Sequence, residues 1–121
     1  VKVYLAARIA ACEAAGIARE RLVADPGFGF GKTAAHNLEL LRRLPEFADL
    51  GVPIASGWSR KSTLGAITGR PAGERLAASL AAALLSAQAG ATILRVHDVR
   101  ETRDALAVWL AMREGDRKGG A

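Results

Sequence analysis

Cysteine occurs once in the 121 residues, as Cys12, so no disulfide can close within the chain. Its neighbours Ala11, Glu13 and Ala14 make it a buried small apolar residue rather than a nucleophile, and a reducing, cytoplasmic setting is expected. Aromatic residues are sparse, at 5%, and no compact block of Lys and Arg carries them interleaved. The net charge of +5 is spread along the chain, part of it in the tail at Arg113, Arg117 and Lys118, which argues against a nucleic-acid surface. Long apolar runs are missing too: Leu76 to Ala91 is interrupted by Ser79, Ser86, Gln88 and Gly90, and no secretory signal opens the chain. No membrane span is predicted. An initiating methionine is absent as well. Val1 leads at once into helical spacing, with Leu5, Ile9 and Cys12 on one face and Gly16 where a helix-ending glycine belongs, which predicts a start inside a larger architecture.

What is present is a chain of one-domain size, 50% hydrophobic and 24% charged, organised around the stretch LVADPGFGFGKT from Leu22 to Thr33. Leu22, Val23 and Ala24 suit a buried strand, and Pro26 with Gly27, Gly29 and Gly31 forbids its continuation. Asp25 therefore sits at the carboxyl end of a strand, where α/β proteins gather their ligands. Phe28 and Phe30 stand among the glycines where a solvated turn would use polar residues, and offer a flat ligand a surface to stack on.

Helical spacing returns from Thr33 to Leu50, with Leu38, Leu41, Leu44 and Ala48 on one side and Pro45 ending or kinking the helix. VPIAS, Val52 to Ser56, is a second short strand that runs into Gly57, Trp58 and the cluster Ser59, Arg60, Lys61, Ser62 at the start of a helical segment. The chain then reads as irregular from Thr63 to Gly73. A helix over roughly Glu74 to Ala89 follows, apolar on nearly every side, so one side is expected on the body of the protein and another on a second subunit. TILRVHDV, Thr92 to Val99, is a third strand, on which Ile93, Arg95 and His97 share one face while Thr92, Leu94 and Val96 share the other. Arg100 does not point with Arg95 and His97. A last helix, near Glu101 to Arg113, places Leu106, Trp109 and Leu110 together, and the tail 115–121 is expected to fray.

Helices alternating with three strands imply a parallel sheet with right-handed crossovers. Three parallel strands cannot close on themselves, and an eight-stranded barrel takes about 250 residues. Several motifs compete for the glycine loop. Gly31, Lys32 and Thr33 match the end of a phosphate-binding P-loop, but Pro26 stands in place of its first glycine; Gly29, Gly31 and Ala34 meet a dinucleotide fingerprint only loosely. Taken together, the three strand ends offer a carboxylate at Asp25, the cluster Ser59 to Ser62, and Arg95 with His97, a set suited to an anionic ligand.

DPGFGFGK, then SRKS after a short strand and glycine, then RVHDV on the next strand, in this order and at these separations, resemble dihydropteroate synthase. The resemblance covers nearly the whole chain, as the carboxyl-terminal three βα units of a TIM (β/α)8 barrel. It implies a partial pterin-binding domain over 1–114 with a flexible tail over 115–121. The implied reaction joins a dihydropterin methyl pyrophosphate to para-aminobenzoate, releasing pyrophosphate and giving 7,8-dihydropteroate by an SN1-like course. By the same resemblance Asp25 and Lys61 bind the pterin and serve catalysis, and Gly29, Phe30, Ser59, Arg60 and Lys61 surround the aminobenzoate. Arg95 and His97 then hold the pyrophosphate. The expected Mg2+ has its ligand outside these residues, the expected homodimer forms through helices 74–89 and 101–113, and a chain of this length is expected to be inactive alone.

Each residue also has a plainer reading. Asp25 suits an Asx turn or a cap, Arg60 and Lys61 suit solvated charges at a helix start, and Arg95 and His97 suit pairing with a carboxylate such as Asp98. His36 and Asn37 read as helix-start residues, and Trp58 reads equally as pocket wall or core. A non-catalytic anion-binding or assembly module built on the same barrel is the alternative function. A corrinoid or pterin methyltransferase-like barrel would not require the SRKS and RVHDV pair.

Overall fold

A computed structural model describes residues 1–27, 33–58 and 61–117, with side chains as far as Glu114. Helix α1, Lys2–Ala14, buries Ile9 and half-buries Leu5 and Cys12, and Gly16 leaves it at a φ of 93°. Helix α2, Ala34–Arg42, starts under a cap: Thr33 Oγ1 accepts the His36 amide at 3.1 Å. Pro45 then sits in the first turn of a 3-10 helix, Leu44–Leu50, so the helical spacing changes pitch where the ring forbids an α-helical bond. That turn buries Leu44, Phe47 and Leu50, and Gly51 closes it at a φ of 71°.

The strands are present as neighbours but are shorter than the sequence predicts. Strand β1 is Ala55–Ser56 and strand β2 is Ile93–Leu94, paired in parallel with Ala55 opposite Ile93 and Ser56 opposite Leu94. The expected first strand is a single parallel bridge, Ala24 to Ile54. The proline at 53 has no amide to donate, and the turn beginning at Asp25 takes the chain away after one bridge. At the other end, the Asp98 carbonyl already accepts the Thr102 amide at 3.0 Å, so helix α5, Val99–Arg117, begins inside the expected strand and two residues before the expected start at Glu101.

Two further differences concern helices. Helix α3, Ser62–Thr68, occupies the start of the stretch that reads as irregular, held by burial of Thr63 and Leu64 and ended by Gly69 at a φ of 73°. On helix α4, Leu76–Gln88, the leucines do not form the inner face. Ser79, Ala82, Ala83 and Ser86 are buried while Leu76 and Leu85 lie exposed, because small side chains let the helix approach the strands closely. Ser86 Oγ meets Ser56 Oγ at 2.9 Å in the interior. On α5, Leu106 and Trp109 are half-buried but Leu110 is exposed.

The core comprises Ile9, Ala24, Leu44, Phe47, Leu50, Val52, Ile54, Trp58, Leu64, Ala82 and Ala91, and so lies between the strands and the helices. Trp58 packs inward. Asn37, read in the sequence as a helix-start residue, is 1% exposed and donates Nδ2 to Thr63 Oγ1 at 2.8 Å, which ties α2 to the first turn of α3. Ion pairs decorate the outside: Lys2 to Asp49 at 2.6 Å and Arg43 to Glu46 at 2.7 Å. Hydrogen bonding to those cations holds the Asp49 and Glu46 carboxyls below their ordinary values. Among the described residues no helix is long and apolar enough to cross a membrane.

A buried amide that loses its partner costs more than an exposed charge. Asn37→Ala is expected to lower the unfolding free energy by about 1–3 kcal/mol in urea denaturation. Glu39→Ala, on the exposed side of the same helix, should change it by less than about 0.5 kcal/mol.

Candidate functional site

Three chain segments end side by side. The Ala55 amide donates to the Ala24 carbonyl at 2.8 Å and the Arg95 amide to the Ser56 carbonyl at 3.0 Å, so β1 is flanked by Ala24 on one side and β2 on the other, all running the same way. The first residues past these pairings are Asp25, Gly57 and Arg95, and they form one rim.

Asp25 is fixed from within its own turn. Its Oδ1 accepts the Gly27 amide at 2.8 Å, the Asx turn that the plainer reading allows, while Gly27 takes a φ of 75° that a side chain would resist. The second carboxylate oxygen is left to face the rim. Oδ2 receives Arg95 Nη2 at 2.7 Å, with the Asp25 side chain 31% and the Arg95 side chain 53% exposed. Two residues singled out separately in the sequence, seventy positions apart by their numbers, thus meet in an ion pair, and Asp25 rather than Asp98 is the carboxylate on Arg95.

Lys61 is the cap residue of α3, half-buried, with its amide on the Trp58 carbonyl at 3.1 Å. Asn37, through Thr63, anchors the helix turn that Lys61 opens. His97 lies in a bend past the end of β2 and is exposed, so the strand alternation that grouped it with Arg95 does not reach it, and Arg100 stands on α5 beside Glu101 with its side chain 87% exposed. Gly29, Phe30, Ser59 and Arg60 lie outside the described residues, as does Phe28.

The chain matches the family model for pterin binding enzymes over residues 1–97. It belongs to that family. It is 56% identical over 113 residues to the dihydropteroate synthase of Neisseria meningitidis serogroup B, a stretch that takes in 90% of this chain and 40% of that protein. Among solved structures, it matches dihydropteroate synthase from Xanthomonas albilineans in complex with 7,8-dihydropteroate at a TM-score of 0.91 and 53% identity, covering 93% of this chain and 43% of the other. The same enzyme with 4-aminobenzoic acid matches at 0.91 and 53%, over 93% of this chain and 41% of that one. This family member therefore spans about 40% of the length of the curated relatives it matches, and its fold is the corresponding part of the dihydropteroate synthase fold.

Two positions of this family member that bear on the rim were not read as site residues in the sequence. Asn37 carried only the signal of its place in a first helical turn, and Gly57 only that of a glycine following a strand. An ion pair this exposed contributes little to folding. Asp25→Asn and Arg95→Gln are each expected to change stability by less than about 1 kcal/mol in thermal unfolding, a result that would assign the pair to ligand handling rather than to the fold.

Proposed function

We propose that this chain supplies the late-strand part of a dihydropteroate synthase site. The meeting of Asp25 with Arg95 on one rim carries the reading, because it brings together a carboxylate and a cation suited to opposite ends of one substrate. In it, residues 1–114 are the last three βα units of the barrel, although the expected tail from 115 begins inside the last helix, α5, which runs on to Arg117.

Asp25 accepts two hydrogen bonds from the amino-pyrimidine edge of the dihydropterin and favours positive charge developing on that ring. Lys61 donates to the pterin while its methylene stem lies beside the aminobenzoate ring. Gly29 and Phe30 flank that ring, and Ser59 with the adjoining backbone takes its carboxylate, with Arg60 as a helper. Arg95 and His97 take the pyrophosphate. Departure leads: the bond from the methylene carbon to the pyrophosphate oxygen breaks, and its electron pair leaves with the pyrophosphate, whose charge Arg95 and His97 offset. The aminobenzoate nitrogen then attacks the methylene carbon, the new carbon–nitrogen bond forms, and the nitrogen gives up a proton to water.

The Mg2+ that goes with this reading has its ligand elsewhere. Among the described residues no group of three or more His, Cys, Asp or Glu stands together that could hold a metal ion. The second copy of a homodimer is assigned to α4 and α5, supported by the apolar residues they leave exposed, among them Leu85 at 51% and Val108 at 73%.

Isothermal titration with a dihydropterin pyrophosphate analogue tests the site. Saturable binding abolished by Asp25→Asn supports it. Pyrophosphate binding that survives Asp25→Asn, with no pterin affinity in either protein, would favour an anion-binding module instead. Light scattering tests the pairing: the wild-type chain should have a dimer's mass and the double variant Leu85→Glu/Val108→Glu a monomer's. A dimer in both would put the second copy elsewhere.

A further inference from the structure

Arg95 stands just past the end of β2 and Asp25 on the far flank of β1, two strand spacings or roughly 10 Å apart. The Arg95 side chain closes that span by crossing the end of β1, and the residue beneath its guanidinium is Gly57. Gly57 is buried. A Cβ placed on it would lie 2.8 Å from Arg95 Nη2, 3.1 Å from Nε and 3.3 Å from Cζ, and these are its three nearest heavy atoms. All three are closer than ordinary van der Waals contact.

The need for glycine here is unusual in its cause. Gly16, Gly69 and Gly90 have nothing within 4 Å of such a Cβ and are glycine because their φ values are positive. Gly57 is outside the left-handed region, so its backbone would accept alanine; what excludes a side chain is the guanidinium lying on it. Gly65 makes similar room for Arg75, but there the guanidinium is held by the Arg70 carbonyl, away from the rim.

We infer that Gly57 is a positioning residue: its missing side chain seats the Arg95 guanidinium across the end of β1, and so sets where the cationic end of the site stands. The inference rests on Arg95 being an anion ligand, as proposed above. The seat also lets Arg95 exchange the Asp25 carboxylate for an incoming anion by moving only the free end of a flexible side chain.

The test uses Gly57→Ala, Arg95→Gln and the double variant of the 121-residue chain, with inorganic pyrophosphate as the probe. Gly57→Ala should keep a cooperative thermal transition, since only an arginine tip must move. Nitrogen-15 spectra of the Arg95 guanidinium should show restricted rotation in the wild-type chain and lose it in Gly57→Ala. Pyrophosphate affinity should fall about tenfold in each single variant, the scale of one charge-assisted hydrogen bond. The double variant should bind no more weakly than Arg95→Gln alone, because the glycine acts only through the arginine. Restricted rotation that survives Gly57→Ala, unchanged pyrophosphate affinity in that variant, or additive losses in the double variant would each overturn the role of Gly57. A wild-type chain that shows the Gly57-dependent restriction but binds no pyrophosphate would overturn the anion-ligand reading, and the inference with it.

Discussion

Backbone hydrogen bonds that align Ala24, β1 and β2 in parallel are the constraint on which the rest of the molecule depends. Only a handful of residues take part, yet parallel pairing leaves the three carboxyl ends on one rim, and the described residues proposed for a chemical role are on that rim or a few residues beyond it in the chain. A shift of register by one residue along β2 would turn Arg95 to the opposite face and separate it from Asp25. The buried bond between Asn37 and Thr63 does for α3 what the strand pairing does for the rim, fixing the turn that Lys61 opens against α2.

The rim is largely a matter of exposed, weakly stabilising contacts, and the core beneath it is not. Leu44, Phe47, Ile54 and Trp58 are almost fully buried, while Asp25 and Arg95 remain partly open to water. Burial of apolar surface holds the scaffold, so the polar rim can exchange partners without endangering the fold.

The order of elements was legible in the sequence because it rests on strong local signals: the helix stop at Pro45, the glycine at 16, and the short apolar runs that lead into Asp25, Gly57 and Arg95. Asp25 and Arg95 were also legible, as polar residues at strand ends. Their direct pairing was not, since nothing local to either residue tells which carboxylate a long cation will reach. Strand lengths were overread because a strand is a property of its partners, and one bridge satisfies Ala24 where apolar composition promised three residues. The start of α3 was legible at Ser62, but its continuation to Thr68 was not, because seven residues give too short a period and its stability comes from burying Thr63 and Leu64, a tertiary effect. On α4 a sequence apolar on nearly every side leaves the inner face unmarked, and packing distance selects the serines and alanines.

That choice of small residues on α4 has a mechanical side. With hydroxyl and methyl groups at the contact, and Ser86 touching Ser56 directly, the helix sits against the strands with little compressible side chain between them. A larger side chain at Ser86 would therefore press directly on Ser56, the last residue of β1. The inner face of α4 and the rim of the site are thus mechanically adjacent, with Ser56 next in the chain to Gly57.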